Sequence, residues 1–573
     1  MGGAVDTHEH HKPATGAEAL LTGLKSSGID YVFANAGTDF PPIIEAMARL
    51  PVDASPVAIT VPHETAGVAM AHGHYLVTGR AQAVMFHVNV GLANAVMGVI
   101  NAASDNIPVL VMSGRTPITE TGRPGHRVTP IHYGQEMFDQ TSLLRDVVKF
   151  NYELRYPEQA GELVGRAMAL ANSAPEGPVY LSLPREPLAE ACPDWNSPQP
   201  TTRPRATPAA PDPAAIVTLA DWLRAADSPT ILCQRGDPDG QLGAALSTFA
   251  THHGIRVVSP FMTRNLLSSD HPNFAGFAPD AVFDQTDLLI VLDSPTPWIA
   301  ATNSPPPSCK VVHIGPDPHF ARLPMRGNQT DIAVQSDPLL ALAALDAALA
   351  APLINADKRN AALAGQSAAR RTKLAAVARN AVGEPMGAEW LSHCISNAMG
   401  DDAVVFSDLG VLPGSMDLAG PNRVFISPHS GGLGWAMNAA LGAQLADRER
   451  LVIACVGDGS YMFANPVAAH QIAEALQLPI LTIVKNNAMW NAVRRSVIGA
   501  YPDGAAAKAN EMPLTSLAPL PDFTKVAQAN RAHAEKVACG QDLPAALKRA
   551  IKVIRTERRQ ALLDVCVAVS DAH

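Results

Sequence analysis

Short apolar runs recur along the chain, each closing on a glycine or a small polar residue and followed by a stretch of helical spacing. They read YVFANAG, AVMFHVNVG and PVLVMSG in the first third. In the second they read PTILCQRG, LLIVLDS and CKVVHIG, and in the third AVVFSDLG, LVIACVGDG and PILTIVKNN. Runs that are continuous rather than alternating, rich in Val and Ile and separated by helices, predict parallel sheets covered on both faces. Two stretches interrupt the pattern. EACPDWNSPQPTTRPRATPAAPDP, residues 190–213, has no hydrophobic period and reads as a linker. Around 351–385 the chain turns Ala-, Lys- and Arg-rich and helical before a new unit starts. The expected fold is α/β: three doubly wound parallel-sheet domains over 12–190, 210–350 and 384–573.

Residues 81–114 and 449–487 share one local pattern: strand, Gly-bearing turn, a helix holding an Asn, then a strand entered through Pro. The first and third domains are therefore expected to be divergent copies of one unit. A length of 573 residues exceeds one compact core and agrees with several domains. The net charge of -10, with no basic run, argues against nucleic acid or an anionic membrane as partner and leaves a small molecule. Seven scattered cysteines without a C-x-x-C spell neither a disulfide framework nor a zinc site, and fit a reducing cytoplasm. No stretch has the pattern of a signal peptide or the length of a membrane span. His8, His10 and His11 read as part of a polar tail rather than a metal site.

The most informative stretch is VGDGSYMFANPVAAHQIAEALQLPILTIVKNN, residues 456–487. A strand, a helix and a next parallel strand would bring both strand ends to one sheet edge, which makes neighbours of Asp458 and Asn487. Gly457 and Gly459 let backbone approach a ligand, and Ser460 adds a donor near a helix start. A carboxylate, an amide oxygen and a carbonyl form a hard-oxygen set suited to Mg²⁺, or Ca²⁺ in its place, already carrying diphosphate oxygens. Helix capping by Asp458 and a turn at Asn486–Asn487 is the plain alternative.

GDG and NN are separated by 26 residues, 460–485, and this spacing resembles the signature of thiamine diphosphate (ThDP) enzymes. Over nearly the whole chain the sequence is similar to the acetolactate synthase, benzoylformate decarboxylase and pyruvate decarboxylase group. The resemblance implies pyrimidine-binding, central and diphosphate-binding domains in that order. It implies Mg²⁺ ligation by Asp458, Asn487 and the Met489 carbonyl, with Asn486 a structural neighbour. Glu64, in VPHETAGVAMAHGHYLVTG, falls where the family keeps a glutamate that exchanges a proton with the aminopyrimidine ring. A carboxyl group in an apolar pocket can hold such a proton near neutral pH. In PHSGGLGWAMNAALG, Leu433 matches the bulky residue that bends the cofactor, and Gly431 and Gly432 its backbone contacts.

His87, in FHVNVGLAN, lies where benzoylformate decarboxylases carry an active-site histidine, and Thr38 in FANAGTDFPP replaces their serine. Gln135 in YGQEMFDQ resembles a glutamine of acetolactate synthases, and Asn94 is expected in the same cleft. His126, His132 and His429 are further candidates, with structural roles the plainer reading. Departures from the group are the missing second histidine, where LDSPTPWIAATN stands with Trp298, and the missing histidine pair of pyruvate decarboxylases. Thr38, His87, Trp298, Trp490 and the loop after 491 are expected to shape the substrate pocket. The function implied is a lyase or carboligase acting on a 2-oxo acid, aldehyde or acyloin. The alternative is an acetolactate synthase-like transferase. An FAD- or NAD-linked oxidoreductase and a non-catalytic ThDP-binding protein rank lower; the central domain could hold FAD or ADP, as some relatives' does, with no residue arguing for it. The resemblance further implies a homodimer or homotetramer with Glu64 and Asp458 meeting across subunits.

Overall fold

The apolar runs become strands, and every pairing between them is parallel. This computed structural model describes residues 13–193 and 202–570, so His8, His10, His11 and the middle of the Pro-rich linker lie outside it. The first sheet holds β1 (Tyr31–Asn35), β2 (Val57–Thr60), β3 (Gln82–Phe86), β4 (Val109–Arg115), β5 (Asn151–Glu153) and β6 (Val179–Pro184). The second holds β7 (Pro229–Cys233), β8 (Arg256–Val258), β9 (Leu288–Leu292), β10 (Lys310–Gly315) and β11 (Ile332–Gln335). The third holds β12 (Val404–Asp408), β13 (Val424–Ile426), β14 (Val452–Gly457), β15 (Leu481–Asn486), β16 (His533–Val537) and β17 (Ala561–Cys566). The chain divides into two compact units: one runs to Tyr75 and resumes over Arg80–Thr207, the other takes Leu76–Gly79 and everything from Pro208. The first unit carries the first sheet, the second unit the other two.

Strands β3, β6, β7, β9 and β12 are buried at every residue. That explains their lack of alternation, since helices cover both faces. Burying a Val, Leu or Ile of this kind contributes about 1.5–3 kcal/mol. The strand orders are β2-β1-β3-β4-β6-β5 and β13-β12-β14-β15-β17-β16 in the first and third sheets. Position for position these are one topology, and the two segments with the shared sequence pattern, β3 to β4 and β14 to β15, occupy the same place in it. The order reverses beside β1 and β3 in one sheet and beside β12 and β14 in the other, and ligand crevices in open α/β sheets lie at such points.

Two sequence expectations need correction. The stretch between β14 and β15 is two helices, Asp458–Phe463 and Pro466–Ala475, rather than one helix after the GDG turn. Asn465 takes a left-handed φ of 52° between them, and Pro466, which has no N–H to give, starts the second. Trp298 does not line a cleft. It is 3 % exposed and packs edge-on against Phe283, centroids 5.8 Å apart, in the core of the second sheet.

Candidate active site

In the third sheet Gly457 at the end of β14 pairs in register with Lys485 near the end of β15, so the residues that follow each strand face one another. Asp458, 3 % exposed, accepts hydrogen bonds from Gly459 N (2.8 Å) on Oδ1 and from Asn487 N (3.1 Å) and Ala488 N (2.6 Å) on Oδ2. Ala488 reaches that position through a φ of 56°. Burial pushes the Asp458 carboxyl above its usual range, and the N–H groups around it pull the other way. A buried carboxylate in this state gains from a cation. Asn487 Oδ1 accepts from Met489 N at 3.2 Å, and the Met489 carbonyl accepts from Asn491 N at 2.9 Å, so both oxygens stay close to Asp458. Asn486 differs: its amide donates to Asp564 Oδ1 at 2.8 Å, which ties β15 to β17.

The glycines around this edge have separate tasks. A Cβ on Gly459 would run into the Trp490 ring, so the helix start lies directly against that indole. Gly431 has a φ of 73° with open space around it, and Gly434, with a φ of 85°, is pressed on the backbone of Phe463. Gly432 and Leu433, between them, are both partly exposed, as is Gly457, and Ser460 is buried. Asp408, at the end of β12, accepts from Gly434 N (2.8 Å) and Trp435 N (3.3 Å) and so anchors the Gly-rich segment; burial pushes its carboxyl up to about 6. Sequence reading missed this aspartate, although it stands at a strand end in SDLG. The open backbone at Gly431, the carboxylate in need of a cation and the amide oxygen beside it fit a diphosphate held through a divalent metal.

In the first unit, Glu64 opens the helix Glu64–Thr78 and is 7 % exposed. It is no simple helix-end acid. Asn94, on the helix Val88–Ser104, donates to Glu64 Oε2 at 3.1 Å, and Thr65 Oγ1 donates to the Asn94 carbonyl at 3.0 Å. A Cβ on Gly91 would crowd Glu64 Oε1 at 3.1 Å, so the carboxylate lies over the start of that helix.

His87, at the end of β3, caps the same helix. Its Nδ1 lies 2.5 Å from Asp39 Oδ1, and Gln135 Nε2 lies 3.1 Å from its Nε2. The hydrogen bond and charge of Asp39 hold the His87 imidazole above the usual histidine range, with a smaller push from Glu64 and burial opposing. Gln135 is placed by its neighbour Glu136, which accepts from Arg115 (3.0 Å), Thr116 (2.8 Å) and Arg127. Thr38 is exposed on the turn beside Asp39. His132 is buried next to Arg185, at 3.3 Å, and burial followed by the charges of Arg185 and Arg127 lowers it; His126 is exposed. In the second sheet, the crevice between β7 and β9 carries Arg235 and Asp293, 3.5 Å apart, with Arg235 and Arg326 over the Phe320 ring.

Comparison with known proteins places these elements. Residues 14–143 match the N-terminal TPP binding domain of the thiamine pyrophosphate enzymes, 216–345 their central domain and 410–565 their C-terminal TPP binding domain. The chain belongs to this family of three-domain ThDP enzymes. Among its relatives, the benzoylformate decarboxylase of Pseudomonas aeruginosa is 26 % identical, over 93 % of this chain and 96 % of that one. The acetolactate synthase large subunit of Parasynechococcus marenigrum is 25 % identical over 90 % and 82 %. Among solved structures, the ThDP-dependent 4-hydroxybenzoylformate decarboxylase of Rhodococcus jostii superposes with a TM-score of 0.77 at 22 % identity, covering 97 % of this chain and 100 % of that one. The protein is an enzyme of the ThDP-dependent decarboxylase and carboligase class.

Proposed function

We propose that the protein cleaves the bond beside the carbonyl of a 2-oxo acid or acyloin, using ThDP and Mg²⁺, and either protonates the retained acyl unit or joins it to a second carbonyl compound. The observation that carries this reading is the buried Asp458 carboxylate with Asn487 folded against it at the β14–β15 edge. Asp458, Asn487 and the Met489 carbonyl would hold the metal, for which Ca²⁺ can substitute. Gly457, Gly459 and Ser460 would face the diphosphate, and Gly431, Gly432 and Leu433 the pyrimidine. Bound there, ThDP supplies a carbanion for the substrate carbonyl and an electron sink for the broken bond.

The side chains of this chain manage protons and position. Glu64, held by Asn94, exchanges a proton with the aminopyrimidine ring. His87, with Gln135 on its Nε2 and Thr38 nearby in the turn, can give or take a proton at the reacting substrate. A histidine so equipped favours decarboxylation ending in protonation. Gln135, which resembles the acetolactate synthase glutamine, supports ligation to a second carbonyl as the other reading. We infer a homodimer or homotetramer in the cytoplasm, in keeping with seven free cysteines. No helix among the described residues is long and apolar enough to cross a membrane.

The test is incubation with ThDP, Mg²⁺ and a panel of 2-oxo acids and acyloins, scoring CO₂ and ligated products. Turnover of at least one class, dependent on both additions, is expected. Glu64→Gln should lower it about 10²–10⁴-fold; full activity in that variant would sink the mechanism.

A further inference from the structure

The Asp39–His87 pair is built with more care than hydrogen bonding alone requires. Asp39 sits in the turn between β1 and the helix Pro41–Arg49, His87 at the end of β3, and they share no local sequence relation. A Cβ on Gly114, at the end of β4, would fall on the Asp39 carboxylate, and a Cβ on Gly37 would fall on the His87 ring. Two strand-end positions are thus kept as glycine and vacate the space in which the pair meets. Val88 adopts a φ of 34°, costly for a β-branched residue, and its N–H donates to Asp39 Oδ2 at 3.2 Å. The carboxylate is 2 % exposed against 16 % for the imidazole, so the acid lies behind the ring and the ring is what the cleft meets.

We propose that Asp39 is a positioning residue of the reaction centre: by accepting Nδ1–H it fixes the tautomer and plane of His87 and leaves Nε2 as the nitrogen that exchanges a proton with substrate. This rests on the ThDP reading above. The physical reason is that an imidazole has two nitrogens, and the partner of one decides what the other carries. In the neutral state Nε2 is an acceptor, and the Gln135 amide donates to it. When His87 takes a second proton, Nε2 becomes a donor and needs an acceptor. Gln135 Oε1 is buried and has no hydrogen-bond partner, so half a turn of the amide provides one. The charged groups facing His87 are Asp39 from the β1 turn and Glu64 from the start of its helix. His132, one helix away, feels Asp39 more weakly than it feels burial and Arg185.

Asp39→Asn keeps the shape and removes the charge. Exchange of the imidazole C2 hydrogen for deuterium, read peptide by peptide by mass spectrometry, gives the His87 titration midpoint without any turnover. The midpoint should lie above the free value of about 6.5 in the parent and fall by about one pH unit or more in Asp39→Asn, with the other histidine peptides unchanged. Gly114→Ala, which displaces the same carboxylate without altering it, should shift it in the same direction. A midpoint that stays put in both folded variants overturns the proposal, whether or not a substrate has been found. With a substrate in hand, kcat should fall about 10²-fold with KM little changed, and the acid limb of the pH–rate profile should move with the exchange midpoint. The loss should vanish in a His87→Ala background; an equal loss there would show that Asp39 acts on something other than His87.

Discussion

At the scale of single residues, the two asparagines that end β15 do different work despite being adjacent. Asn486 is spent on Asp564, a carboxyl that burial pushes up and this amide pulls down. Asn487 keeps its side chain at the Asp458 edge. Asn486→Ala strands a buried carboxyl and should cost about 1–3 kcal/mol in denaturant unfolding, while the Mg²⁺ concentration needed for activity changes little. Asn487→Ala should raise that Mg²⁺ requirement about tenfold or more, with unfolding of the metal-free protein unchanged. Comparable effects of both variants on metal dependence would remove the distinction. The GDG and NN signals were readable in the sequence because their spacing is local to one crossover. Asp39 was not: it lies 48 residues from His87, and what makes it a partner is the empty space left by Gly37 and Gly114, which no spacing expresses.

At the scale of elements, the interior strands were legible because both of their faces are buried and composition alone reports that. The edge strands were not. β16 reads HAEKV and is largely half-exposed, and β5 is the three residues NYE, so neither contains an apolar run. Trp298 was misplaced for a related reason, since an aromatic in a loop has no period to say which way it faces. The helices after β14 show how a buried polar chain joins elements. Tyr461 Oη lies 2.9 Å from His470 Nε2, and His470 Nδ1 lies 2.7 Å from Gln560 Oε1, linking both helices to the residue before β17. Burial lowers His470 to about 4. The unfolded chain binds this proton below about 6.5 and the folded one only near 4. Stability therefore falls as pH drops through that window, by about 3 kcal/mol from this group. His470→Gln should flatten the acid side of the stability–pH curve measured by urea unfolding between those values; an unchanged slope would show that His470 protonates freely in the fold.

At the scale of the whole molecule, the first and third sheets have one topology and divide the cofactor's chemistry between them. The proton-exchanging Glu64 stands in one and the metal edge at Asp458 in the other. If each reaction centre takes its pyrimidine half from one subunit and its diphosphate half from another, two inactive variants can repair each other. Glu64→Gln and Asp458→Asn should each be inactive alone. Co-expressed and purified through two different tags, a mixed dimer has one centre carrying both lesions and one carrying neither. Random pairing then leaves about a quarter of all centres intact, and the doubly tagged fraction should have about half the parent activity per dimer. A centre built within one chain gives no such recovery, because every centre in the mixture keeps a lesion. Sedimentation of the same fraction adds an independent check, since active material must travel as a dimer or larger and a competent monomer contradicts the arrangement.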